Sequence, residues 1–132
     1  QICHALLDQE TRDLQENSLR RLQNQGSAVD DLPWFLEQVA LFVMRNQSML
    51  FTADPNLSVT MLAHPAHLWW RQTIRGLLQR VKTPDELDID YTADMLYVML
   101  DARTICFQMH TLGYDEYRII NGLKSVAAQI AR

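Results

Sequence analysis

The residues able to do chemistry are few, and their spacing does not favour catalysis. Of the four histidines, His64 and His67 flank Pro65-Ala66 near a helix start and could share a metal ion. A helix-terminal histidine pair without a neighbouring carboxylate is ordinarily just solvated. Cys3 and Cys106 lie near opposite ends, outside any CxxC or Cys/His ligand spacing, and read as buried free thiols. No serine or cysteine stands in a nucleophile elbow, and no glycine-rich loop could cradle phosphate. Asp88, Asp90 and Asp94 cluster, but capping and the positive field of a helix N-terminus explain them without acid/base work. The expectation is a protein with no catalytic residue, metal or cofactor.

The aromatic and methionine residues are the better lead. Trp34, Phe42, Met61, Trp70, Met95 and Met99 fall on segments with helical apolar spacing. Cavities between helices are lined by such side chains, with a few polar groups to orient a guest. Gln38, Thr73 and Arg103 are the candidate polar groups. Arg103 stands out, because a cation within so apolar a segment needs a partner. Asp94, Asp101 or an anionic ligand could supply it. The alternative for every apolar member of this set is an ordinary core.

Something must position these residues, and composition says that it is helical. The chain has 132 residues, enough for one domain, with only four glycines and four prolines. Val, Ile and Thr do not gather into alternating runs. The net charge of −4 and the scattered Lys and Arg residues leave no basic face for nucleic acid. No apolar run approaches the length of a membrane span, and no signal peptide is evident, so a cytoplasmic protein is expected. The chain begins at Gln1 instead of Met, which suggests that residues upstream have been removed.

The chain divides into five long helices and one short one, with no credible strand and no internal repeat. The first runs from Gln1 to about Gln25, with Asp8–Arg12 and Glu16–Arg20 as acid-before-base pairs one turn apart. Gly26-Ser27 closes it. A second, capped by Asp30 or Asp31 with Pro33 in its first turn, runs from Trp34 to about Met49. A short helix is expected over 57–63. Pro65 opens a third, to about Lys82, with Trp70, Ile74, Leu77 and Val81 inward and Arg71 and Arg75 facing water. Asp90 caps a fourth spanning Tyr91 to Leu112, so apolar that it must be covered on two sides. Gly113 ends it, and Asp115 caps a last helix to about Ala131.

This order of elements resembles the regulatory half of TetR-family transcriptional regulators. There a helix-turn-helix head is followed by a long connecting helix similar to Ala5–Glu10 and its continuation. A later helix is similar to Phe35–Phe42 and closes on a phrase like Asn46–Phe51, in which the family's usual proline is Gln47 here. Leu87–Asp94 leads into an apolar helix containing Asp101-Ala102, and Tyr117–Leu123 resembles the family's final helix. The helix-turn-helix head itself is absent from this sequence.

The resemblance implies an all-α effector-binding and dimerisation domain over residues 1–132, with 1–25 as the connecting helix. It implies a small-molecule effector held among the middle helices, and DNA contact only through the missing head. It also implies a homodimer in which the last two helices pair with their copies. The residues expected there are Ala102, Ile105, Met109, Ile119, Gly122, Leu123, Val126 and Ile130. Ala102, Gly122 and Ala127 are small enough for close helix approach. The rival expectation is a helical protein-interaction module with no small-molecule ligand.

Overall fold

Leu32, Phe35, Leu36, Val39, Ala40, Phe42 and Val43 recur at helical spacing, and all seven are buried in a single helix. That helix, α2 (Ala28–Arg45), is the centre of an all-helical structure. The computed structural model describes residues 2–23, 26–47, 65–81 and 83–131, side chains of 2–7, 65 and 66 excepted. Within these, α1 (Ile2–Gln23) and α2 are followed by α3 (Pro65–Arg80), α4 (Ile89–Met99) and α5 (Ala102–Cys106). A π-helical segment (Phe107–Thr111) and α6 (Glu116–Ile130) complete the order, and no strand occurs among the described residues. The most extensive contacts join α2 to α6 and α3 to α4, with α2 against α3 next. The expected short helix over 57–63 lies outside the described residues.

The stripe expected to face inward on α3 does so, with Trp70, Ile74, Leu77 and Val81 buried from that helix and its end. On α6, Ile119 and Leu123, expected at a dimer contact, are buried in the chain's own core together with Ala127. Asp115 caps α6 by accepting from the Arg118 N–H at 2.8 Å. Gly113 takes φ 76°, the left-handed conformation that ends the preceding segment, and the Tyr114 N–H then reaches the Gln108 carbonyl at 2.9 Å.

Several boundaries differ from expectation. Ser27, not Asp30 or Asp31, occupies the N-cap of α2, and its carbonyl accepts from the N–H groups of both aspartates. The aspartates stand in the first turn, where carboxylates suit the helix dipole, and Pro33 falls beyond it. The bond that Pro33 cannot make would end on the carbonyl of exposed Val29, where water can replace it. At the other end the Asn46 side chain donates to the Phe42 carbonyl at 2.8 Å, and α2 stops at Arg45. Asp88, not Asp90, caps α4, accepting from the Tyr91 N–H at 3.0 Å.

The expected fourth long helix is divided at Leu100-Asp101. Positions two apart on a straight helix point about 200° away from one another. Yet Leu100 and Ala102 are both buried, and the extended Asp101 between them is what allows it. The new helix axis also brings Ile105 inward and leaves Arg103 exposed.

Ion pairs fasten the elements. Lys124 meets Glu37 at 2.8 Å, tying α6 to α2. Arg71 pairs with Asp94 and Arg75 with Asp90, so the α3 arginines expected to face water instead hold α4. On α1, Arg12 turns to Gln9 at 3.0 Å, and Arg21 reaches the buried carboxylate of Asp31 at 3.1 Å. The Arg21 guanidinium also lies 4.6 Å from the Trp34 ring centre. Phe42→Ala should remove about 3–5 kcal/mol of stability, lowering the urea midpoint with the slope unchanged. A loss below about 1 kcal/mol would show that Phe42 does not anchor the core.

Candidate functional site

The side chains of α4 fall into three sets. Ala93, Leu96 and Tyr97 are buried, Asp90 and Asp94 turn to the α3 arginines, and Met95, Val98 and Met99 are exposed. Met95 keeps 56% of its surface open to solvent. Across from it, α6 leaves Tyr117 at 75% and Val126 at 47%. Such exposure of large apolar groups is concentrated here. Of eleven such side chains among the described residues, eight lie between Tyr91 and Val126, so the uncovered surface belongs to one end of the chain.

Between α4 and α6 runs a groove of about 660 Å³. Buried Leu96, Ile119 and Leu123 form its floor, and Met95, Met99, Tyr114, Tyr117, Gly122 and Val126 its walls. Gln108 enters from the π-helical segment, an irregularity often found beside functional sites. Asn121 adds a second amide, and Arg118 is the one charged residue lining the groove. Its guanidinium lies 3.9 Å from the Tyr114 ring centre.

Two expected sets meet in this groove. Met95 and Met99, expected around a ligand, join Ile119, Gly122, Leu123 and Val126, expected at a dimer contact. The remaining ligand candidates go elsewhere. Phe42 and Trp70 are buried with their rings edge-to-face at 5.8 Å, and Tyr97 meets Trp70 at 6.5 Å. His67 stacks on Trp70 at 4.4 Å, and His64, with which it could have shared a metal, lies outside the described residues. Trp34 and Gln38 are half-buried on α2, and the Thr73 hydroxyl is taken by the Trp69 carbonyl at 2.8 Å. Arg103 is exposed on α5 and is not enclosed by apolar neighbours, because the break at Asp101 turns it outward. Asp94, one of its expected partners, belongs to Arg71. Met61 lies outside the described residues.

Of the expected dimer residues, Ala102, Ile105, Ile119 and Leu123 are absorbed by the chain's own core, the last two forming the groove floor. Met109 is half-buried, its sulfur accepting from the Gln47 amide at 3.3 Å, and Ile130 packs partly against the core. Tyr114, Tyr117, Gln108, Arg118 and Asn121 had not been singled out as site residues. Their one sequence signal is position, flanking the Gly113 stop and the Asp115 cap.

Burial and charge shape the ionisation around α4. The hydrogen bond from Arg75, then its charge, hold the Asp90 carboxyl below the usual range. Burial raises Asp101, opposed by backbone N–H groups and by the charge of Arg103. The Tyr97 phenol is pushed up to about 12 by burial and by the Asp101 charge. Two side-chain oxygens, Ser18 Oγ and Asp31 Oδ2, and the Trp70 Nε1 are buried without a hydrogen-bond partner among the described residues.

No protein-family model, curated protein or solved structure matches the chain. Among the described residues, no helix is long and apolar enough to cross a membrane.

The Tyr97 shift has a definite sign. An unfolded phenol ionises near pH 10, whereas the folded one waits until about 12. Its stabilising contribution is therefore full below pH 10 and disappears as the pH rises through that interval. Absorbance titration of tyrosinate should show a phenol ionising near pH 12 that is missing in Tyr97→Phe. A titration curve left unchanged at that pH by Tyr97→Phe would contradict the burial argument.

Proposed function

We propose that this chain is the ligand-sensing and dimerisation domain of a TetR-type transcriptional regulator, with operator contact assigned to a helix-turn-helix head outside this sequence. The observation that carries the reading is the continuous apolar surface on α4 and α6, the two elements that pair with their copies in the resembled family. Arg71 and Arg75 engage the acidic groups of α4, so this surface is almost uncharged. Elsewhere a chain of net charge −4 repels its copies, while here two of them can meet. A twofold contact between such faces gives a four-helix arrangement and closes on itself.

The effector in this reading is a small, largely apolar molecule held among α2, α3 and α4. Trp70 supports it, since its buried Nε1–H has no acceptor among the described residues and a ligand acceptor would satisfy it. Binding affects the operator only if the ligand prefers one arrangement of the domain. The connecting helix α1 rests on α2 through Leu14 and the Arg21–Asp31 pair, so a shift of α2 reaches the head through this contact.

A second reading is favoured by the open, methionine-walled form of the groove. Flexible Met95 and Met99 suit a helix of a different protein laid between α4 and α6. Sedimentation separates the two. The chain should be a dimer at micromolar concentration, and Met95→Asp should weaken it by about tenfold or more, since a charge buried at the contact finds no partner. A wild-type monomer throughout that range would leave the second reading in place of the first. Thermal-shift measurements should also detect stabilisation by some lipophilic compounds carrying a hydrogen-bond acceptor. No response across a broad set would remove the effector from the proposal.

A further inference from the structure

Arg21, Arg45, Arg71, Arg75 and Lys124 each meet a carboxylate that ties one helix to another. Arg118 is placed differently. It lines the groove between α4 and α6, and no carboxylate among the described residues pairs with its guanidinium. One helical turn onward stand Asn121 and Gly122, neither of which is an acid. The position is also in the first turn of α6, where the helix dipole disfavours a cation and favours an anion. The guanidinium lies 3.9 Å from the Tyr114 ring centre. Such a contact restrains the side chain without giving its N–H fork an acceptor. Neither a tie between helices nor the helix's own field accounts for an arginine here.

We propose that the groove holds one molecule of an amphipathic carboxylate, a single apolar tail with an anionic head, anchored at Arg118. The tail lies along Met95, Met99 and Val126, over the buried Leu96 and Leu123. Two independent features select this class. The fork of Arg118 matches a carboxylate geometrically, and Gln108 and Asn121 bring amide donors to the same lining. The rest of the lining is largely apolar, and its flexible methionines adapt to a linear tail. The volume of about 660 Å³ falls within the range of about 300–1,000 Å³ usual for small-molecule sites. The guest is a free molecule and not a lipid surface, because an anionic membrane repels a chain of net charge −4. A site built within one chain does not depend on the dimer reading, and it is separate from the effector position among α2, α3 and α4.

Fluorescence anisotropy of a tail-labelled dodecanoate, read at submicromolar protein and below the micelle-forming concentration, measures the binding. Unlabelled competitors then identify the head. Dodecanoate should displace the label about fivefold or more better than dodecanol or dodecyltrimethylammonium. Octanoate should compete about tenfold or more worse than dodecanoate, since it leaves four methylenes' worth of groove unfilled. Arg118→Gln should weaken dodecanoate about fivefold or more and leave dodecanol unchanged. Arg20→Gln makes the same change of charge on the exposed side of α1 and should alter neither. No binding of the label, displacement by dodecanol equal to that by dodecanoate, or an unchanged dodecanoate affinity in Arg118→Gln overturns the proposal. Cosedimentation with phosphatidylglycerol vesicles should leave the chain in the supernatant. A chain that sediments with them, and does so only with Arg118 present, would make the partner a membrane surface and overturn the free ligand.

Discussion

The rotation of α4 about its own axis decides what this molecule can present to others. Two constraints fix it. Ala93, Leu96, Tyr97 and the following Leu100 are drawn into the core, and Asp90 and Asp94 are held to one side by Arg75 and Arg71 of α3. Exposed ion pairs contribute little to stability, typically below about 1 kcal/mol each. Two in succession nonetheless select one rotation, because turning α4 would separate both at once. With the inner and lateral sides taken, Met95, Val98 and Met99 have nowhere to go but outward.

The backbone beyond α4 follows from the same demand. A straight continuation could not bury both Leu100 and Ala102, so the chain adopts an extended residue at Asp101 and restarts as α5. The π-helical segment carries Gln108 to the groove, and Gly113 with the Asp115 cap redirects the chain into α6. The groove therefore lies between two elements that each spend their inner face on the core, α4 against α3 and α6 against α2.

Helices with one apolar side were legible in the sequence. The inward residues of α3 follow from a 3.6-residue period, and the Gly113 stop and Asp115 cap follow from residue type, whereas the period alone did not show that the chain's own core takes Ile119 and Leu123 of α6. Legibility fails where that signal saturates. From Met95 to Met109 nearly every position is apolar, so periodicity could neither reveal the break at Asp101 nor say which methionines face out. It likewise placed Arg103 inside an apolar helix, when a change of axis at Asp101 turns it outward. At the start of α2, Ser27, Asp30 and Asp31 are all capping residues, and composition does not rank them. The candidate site was divided into a ligand set and a dimer set because spacing along one chain cannot show that α4 and α6 share a groove.

Methionine oxidation read by mass spectrometry across a dilution series tests most directly whether that outward face is covered by a second copy. Peroxide attacks exposed thioethers, and Met95 and Met99 are the reporters. Their oxidation should slow as concentration rises through the dimerisation range, while Met44 on α2 keeps a constant rate. Met95 and Met99 oxidising at the same rate at every concentration would contradict the account.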